Sequence, residues 1–191
     1  MKKTCLILSI VLVSFGLSAQ TSAEAYYGIA NLVEEGNKKL SAKDYYGAVS
    51  DFSKAAELIP YLNDPNSIAD KIYTNRALAK RAIGDYKNAI VDLDKALEFY
   101  GSDTNIKNYL LRGEAKLVLQ DYSSALSDFS KIIKINSKPS ESNTTIIANA
   151  YTYRGMSKEG LGDNSACEDY KKGAELGGDF NKNLYELGNC N

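Results

Sequence analysis

Residues 109–132 read Tyr-Leu-Leu-Arg-Gly-Glu-Ala-Lys-Leu-Val-Leu-Gln-Asp-Tyr-Ser-Ser-Ala-Leu-Ser-Asp-Phe-Ser-Lys-Ile, and both halves of this stretch return elsewhere in the chain. The first half, Tyr109 to Lys116, recurs as Tyr73 to Lys80 and Tyr151 to Lys158, each with arginine at the fourth place and lysine at the eighth. The second half places Asp121-Tyr122 before Ala125, as Asp44-Tyr45 precedes Ala48 and Asp85-Tyr86 precedes Ala89. A fourth copy is shorter: Asp163 lies three residues before Ala166, which predicts a turn one residue tighter. Four residues after each alanine stands a large side chain, Phe52, Leu93, Phe129 or Tyr170. Self-similarity at this period is the mark of stacked helical hairpins.

Each unit therefore reads as two helices, A and B. The small residues Ala77, Gly113 and Gly155 let helix A approach helix B, with Ala89, Ala125 and Ala166 as the expected flat surface opposite. The alanine spacings of 41, 36 and 41 residues put the additional residues between hairpins, at 61–67 and 137–144, where Pro65, Pro139, asparagines and serines mark turns. Asp64-Pro65 is a helix-start signal, because a carboxylate accepts orphan amide hydrogens and proline suits the first turn. The following A helices are expected to be longer by a turn or two.

The pattern resembles the tetratricopeptide repeat, whose small residue on helix A, small residue and aromatic on helix B, and terminal proline stand here as Gly36, Ala48, Phe52, Ala55 and Pro60. The resemblance covers about residues 25–176, with Glu35 in place of the later arginines. It implies an all-α, right-handed α-solenoid of about four hairpins, near 25–61, 66–101, 104–137 and 142–176, closed by a short capping helix at 179–190. Without a cap the last repeat would expose an apolar face.

The first twenty residues stand apart. Lys2 and Lys3 precede the apolar run Leu6 to Val13, and small residues follow at Ser14, Gly16, Ser18 and Ala19. This reads as a secretory leader cleaved near Ala19 or Gln20, too short to span a bilayer, which needs about 20 apolar residues. The mature domain is then 21–191, periplasmic or extracellular, and Cys5, at the start of the apolar run, leaves with the leader. Of 23 basic residues 21 remain against 24 acidic ones, a net charge of −3 without a basic footprint, which disfavours nucleic acid as a partner. Cys167 and Cys190 survive into an oxidising compartment and are expected to pair, pinning the cap to the fourth hairpin and contributing about 3 kcal/mol.

Catalysis lacks its usual residues. The chain has no histidine, so histidine-dependent triads and most zinc sites are excluded. Gly173, Gly177 and Gly178 lack the Lys-Ser/Thr of a phosphate loop and read as a helix end. Glu34-Glu35 and Glu168-Asp169 are sequence neighbours that point in different directions on a helix, unsuited to an acid/base pair. Neither an enzyme activity nor a cofactor or metal is expected.

The recurring charges suggest a ladder instead. Arg76, Arg112 and Arg154 sit four residues before Lys80, Lys116 and Lys158, where like charges weaken a lone helix. Asp51, Asp92, Asp128 and Asp169 share one helix-B position, so pairs between hairpins are expected: Asp51 with Arg76, Asp92 with Arg112, Asp128 with Arg154. The repeated tyrosines, Tyr73, Tyr109 and Tyr151 on helix A and Tyr45, Tyr86 and Tyr122 at the turn, read as packing residues.

In the resembled family a partner lies in a concave groove lined by helix-A side chains. Mapped by position, that groove is expected to hold Val33, Asn37 and Leu40 from the first hairpin, and Lys71, Asn75, Leu78 and Arg81 from the second. Lys107, Leu110, Glu114 and Leu117 follow from the third, with Met156 from the fourth. The co-chaperone members clamp a terminal carboxylate with two asparagines and three basic residues; Asn37, Asn75 and Lys107 match, while Val33 and Leu111 occupy the other two places. The expected function is a non-catalytic module binding a peptide or protein, oligomeric state open. The alternative is an assembly component of a cell-envelope complex that docks through its convex face or cap.

Overall fold

The structure, a computed structural model, describes the backbone of residues 2–100, 105–135 and 143–177, with side chains from residue 21 onward except 67 and 100. Every regular element among the described residues is helical, in order α1 (Lys2–Ser41), α2 (Tyr45–Leu58), a 3₁₀ turn (Ile59–Tyr61), α3 (Asn66–Ala82), α4 (Tyr86–Tyr100), α5 (Ile106–Val118), α6 (Tyr122–Ile135), α7 (Thr144–Gly160) and α8 (Ala166–Glu175). The all-α, tetratricopeptide-like class expected from the repeats is the one observed. α3 and α7 have 17 residues each against 13 in α5, so the longer spacings lengthen the helices that follow them. α1 runs without a break through the expected leader boundary. Among the described residues no helix is long and apolar enough to cross a membrane. The expected capping helix at 179–190 lies outside the described residues.

One local device builds the A-to-B turns. Lys43, Gly84, Gln120 and Gly162 take positive φ of 61°, 82°, 61° and 73°, and an aspartate follows each. The amides of Asp44, Asp121 and Asp163 then reach back to the carbonyls of Lys39, Lys116 and Lys158, at 2.9, 3.0 and 2.9 Å, the six-to-one bond that ends a helix in a left-handed residue. The same aspartates start helix B, since Asp44, Asp85 and Asp121 accept from the amides of Gly47, Asn88 and Ser124. In the shorter fourth turn Asp163 accepts from Ser165, only two residues on. Asp64 accepts from Asn66 at the start of α3, as the Asp-Pro signal predicts.

The chain divides into two compact units, residues 1–83 and 84–191. In the first, α2 lies against α1 and α3, and α1 also meets the 3₁₀ turn and α3. Its centre is Ala48, Phe52 and Ala79, with Val33, Leu40 and Val49 packed on them. In the second, α4, α5, α6, α7 and α8 pack in succession and α5 also meets α7. Leu97, Tyr109, Leu110, Ala125, Phe129, Ile132 and Ala150 form its core.

The A–B approach differs from the expected glycine-on-alanine contact. A Cβ placed on Gly36 would come within 2.7 Å of the Phe52 ring, one on Gly113 within 2.6 Å of the Phe129 ring, and one on Gly155 within 2.6 Å of the Tyr170 ring. The glycine seats the edge of the large helix-B side chain, because a ring reaches across the interface where an alanine methyl does not. Gly160 meets Tyr122 in the same way, since a Cβ there would lie 2.7 Å from the ring, so that turn tyrosine packs on the next A helix.

Candidate functional site

The repeated charges of the first, third and fourth hairpins fold inward within the hairpin. Arg112 on α5 donates from Nε and Nη2 to the two carboxylate oxygens of Asp128 on α6, at 3.0 and 2.6 Å, and Lys116 Nζ adds a third bond at 2.8 Å. Arg154 and Lys158 on α7 hold Asp169 on α8 in the same manner, at 2.5 to 2.9 Å. In the first hairpin Lys39, which stands where Lys116 and Lys158 stand later, lies 2.7 Å from Asp51. The expected inter-hairpin pairs Asp51–Arg76 and Asp128–Arg154 are therefore corrected: Asp128 is taken by its own hairpin, and Arg76 donates to Ser53. Arg112 does reach the preceding helix, but at Asp94 rather than Asp92 (2.6 Å). The cause is geometric. Gly113 seats the Phe129 ring, so Arg112 and Lys116 on the same face of α5 straddle Asp128, the residue just before that ring.

Electrostatics follow this geometry. Burial alone would lower the Arg112 guanidinium, but the bonds and charge of Asp128, then of Asp94, hold it above its ordinary value. The bond to Asp169 raises Arg154, and the bond to Asp51 raises Lys39. Burial, then a 2.7 Å bond donated to Glu159, raises the Tyr170 hydroxyl. Each arginine also lies over the tyrosine three residues earlier, Tyr73, Tyr109 or Tyr151, 5.3 to 5.4 Å from the ring centre. Carboxylates so enclosed hold helix pairs together and have no free face for a substrate.

The expected groove residues separate into two groups. Leu110 is in the core of the second unit, with Leu117 packed against it, and Val33 and Leu40 lean on the core of the first. For Leu110 an open-face position is corrected, since the leucine packs with Phe129 and Ala150. Leu78, Arg81, Glu114 and Met156 are half-buried, Lys71 and Lys107 exposed. Thr152, which also maps to this face, is buried and donates to the carbonyl of Ala148.

One pair of groove residues comes together. Asn75 Nδ2 on α3 donates to Asn37 Oδ1 on α1 at 3.0 Å, with Asn37 exposed and Asn75 half-buried, both within the first unit. α1 positions Asn37 one residue after Gly36, whose contact with Phe52 sets its azimuth. Lys71 lies one helical turn before Asn75. The other clamp places hold Val33, half-buried on apolar neighbours, and Leu111, half-buried on α5. Cys167 is half-buried on α8, while its expected partner Cys190 lies outside the described residues. Among the described residues no cluster of three or more cysteines and acids is placed to hold a metal. Sequence reasoning missed the part played by Lys39; its place three residues after Gly36, matching Lys116 after Gly113, is the signal that identifies it.

No family model matches the chain. The human tetratricopeptide repeat protein 12 is 33% identical over 107 residues, 56% of this chain but 14% of that protein, so the chain spans only a small part of such a relative. Among solved structures, the TPR2B domain of yeast Sti1 in its pHsp70 complex superposes with a TM-score of 0.57 at 18% identity, over 70% of this chain and 98% of that one. The first TPR of Spaghetti (RPAP3), bound to the HSP90 peptide SRMEEVD, gives 0.57 at 22% identity, over 71% and 94%. At these identities the likenesses show the fold.

Proposed function

Because the chain belongs to the tetratricopeptide-repeat proteins, we propose that it is a non-catalytic interaction module that takes a peptide segment of a partner protein on its A-helix face. The Asn37–Asn75 pair carries this reading. In making one mutual bond the two amides leave both Nδ2 protons of Asn37 and the Oδ1 of Asn75 to a guest. Those are the complements of a peptide carbonyl and a peptide N–H, and they stand on two packed helices, so little ordering entropy is lost on binding. Lys71 adds a cation one turn away for an acidic side chain of the guest. The RPAP3 domain with its bound peptide supports the same use of this fold.

The guest is an internal segment read through its backbone, because Val33 and Leu111 stand where a terminal carboxylate would need cations. The amino-terminal leader supports export to the periplasm or the extracellular space, and Cys167 pairs there with Cys190. The test is capture from envelope fractions by the purified chain. Asn37→Ala/Asn75→Ala should weaken partner retention about tenfold, the worth of two lost amide bonds, and charge reversal at Lys71 should also reduce it. Capture unchanged by all three substitutions would reject this face and leave the assembly role, through another face, in its place.

A further inference from the structure

A cleft of about 400 Å³ opens in the first unit where residues 62–64 pass α1, away from the asparagine pair. Tyr26 and Tyr27 form one side, with ring planes at 80° and centroids 6.3 Å apart. These residues are 52% and 71% exposed, a large apolar area left in water. The opposite side is fixed rather than loose. The amide of Asn63 donates to Ser22 Oγ at 3.2 Å, and Asp64 Oδ1 accepts from Asn66 at 3.1 Å, which orients the carboxylate. Among the described residues Asp64 is the one charged side chain in the lining.

We propose that this cleft binds an organic ammonium group. Two nearly perpendicular tyrosines offer the electron-rich faces that attract a cation, most strongly one with alkyl groups that shed water cheaply. Asp64 supplies the countercharge, and the described lining contains no lysine or arginine to oppose it. An anion meets the Asp64 carboxylate and has no cation to pair with. A neutral sugar finds rings set at a corner instead of a flat stacking floor. The same chemistry occurs in a free quaternary ammonium compound and in the lysine side chain of a partner protein.

The test titrates the purified full chain at constant ionic strength with tetramethylammonium chloride, choline, Nα-acetyl-lysine amide and glucose, followed by calorimetry. Saturable binding of tetramethylammonium or choline is expected, weakened about tenfold in Tyr27→Ala and also weakened in Asp64→Asn, whose amide oxygen still caps α3. Tighter choline than lysine amide assigns the free compound, and the reverse order assigns a partner's lysine. Tyr27 is a surface residue, so an unchanged unfolding midpoint verifies that its variant is folded. No saturation with any ammonium probe, equal binding of glucose, or affinity indifferent to both substitutions would overturn the assignment.

Discussion

Replacing Gly113 with alanine tests the packing that defines a hairpin. The added methyl would lie 2.6 and 2.7 Å from Cε1 and Cζ of Phe129, closer than packed carbons tolerate. Phe129 is fully buried, so its ring cannot swing into solvent. Overpacking of this kind destabilises by about 1–3 kcal/mol, while alanine gains about 1 kcal/mol over glycine in a helix interior. The net expectation is a loss of about 1 kcal/mol, read as a fall of about 2–4 °C in Tm for a chain of this size. The sequence contains its own control. Where helix A carries alanine instead, at Ala77, the corresponding helix-B residue is Leu93 and not an aromatic. Gly113→Ala/Phe129→Leu should therefore show a favourable coupling of about 1 kcal/mol in a double-mutant cycle followed by urea unfolding and far-UV circular dichroism. Strictly additive effects, or a Gly113→Ala variant more stable than the parent, would refute the claim that the glycine exists to seat the ring.

Three further outcomes follow from the same geometry. Asp128→Asn leaves Arg112 and Lys116 without their buried carboxylate and should cost about 3 kcal/mol, whereas Asp94→Asn, at a half-exposed carboxylate, should cost less than about 1 kcal/mol; similar losses by chemical denaturation would sink the distinction. Gln120 sits at φ 61°, where the equivalent residues of two other turns are Gly84 and Gly162, so Gln120→Gly should stabilise the chain by about 0.5 kcal/mol once glycine's greater freedom when unfolded is deducted. The Tyr170 hydroxyl is raised by burial and Glu159, so above its ordinary value of 10.0 the unfolded chain releases a proton that the folded chain keeps, and stability falls as pH rises. The stability difference between the parent and Tyr170→Phe should hold constant below that pH and shrink above it; a difference independent of pH between about 8 and 11.5 would contradict the cause.

Hairpins were legible because each one must solve the same contacts, and the residues that solve them recur in register. Asp44, Asp85 and Asp121 announce the turn, and Gly36, Gly113 and Gly155 announce the close approach. The partner of each charge was not legible in the same way. Asp92 and Asp128 lie 20 and 16 residues from Arg112, and nothing in a linear repeat distinguishes the carboxylate before an arginine from the one after it. The choice is made by the azimuth of α5, which the Gly113–Phe129 contact sets. Leu110 misled for a related reason: its place on helix A is a groove position by analogy, yet α7 lies against α5 and covers it. The cleft at Tyr26 and Tyr27 left no mark at all, since exposed aromatics ahead of the first repeated block belong to no period.

Regularity and function consequently occupy different positions in this chain. A residue present in every hairpin serves a need that every hairpin has, and the structure bears this out at the buried aspartates, whose carboxylates are filled by Arg112 and Lys116 or by Arg154 and Lys158. Such groups cannot also recognise a guest without giving up the helix pair they hold. Under the proposed function, recognition falls to positions where the repeats disagree. Asn37 corresponds to Leu78, Glu114 and Met156, and Asn75 corresponds to Leu111 and Tyr153, so neither amide has a counterpart in the other hairpins. Packing demands no asparagine there, because leucine and tyrosine satisfy the same place elsewhere. What two asparagines add is a pair of half-used hydrogen-bonding groups, which the backbone amide of the proposed guest would complete.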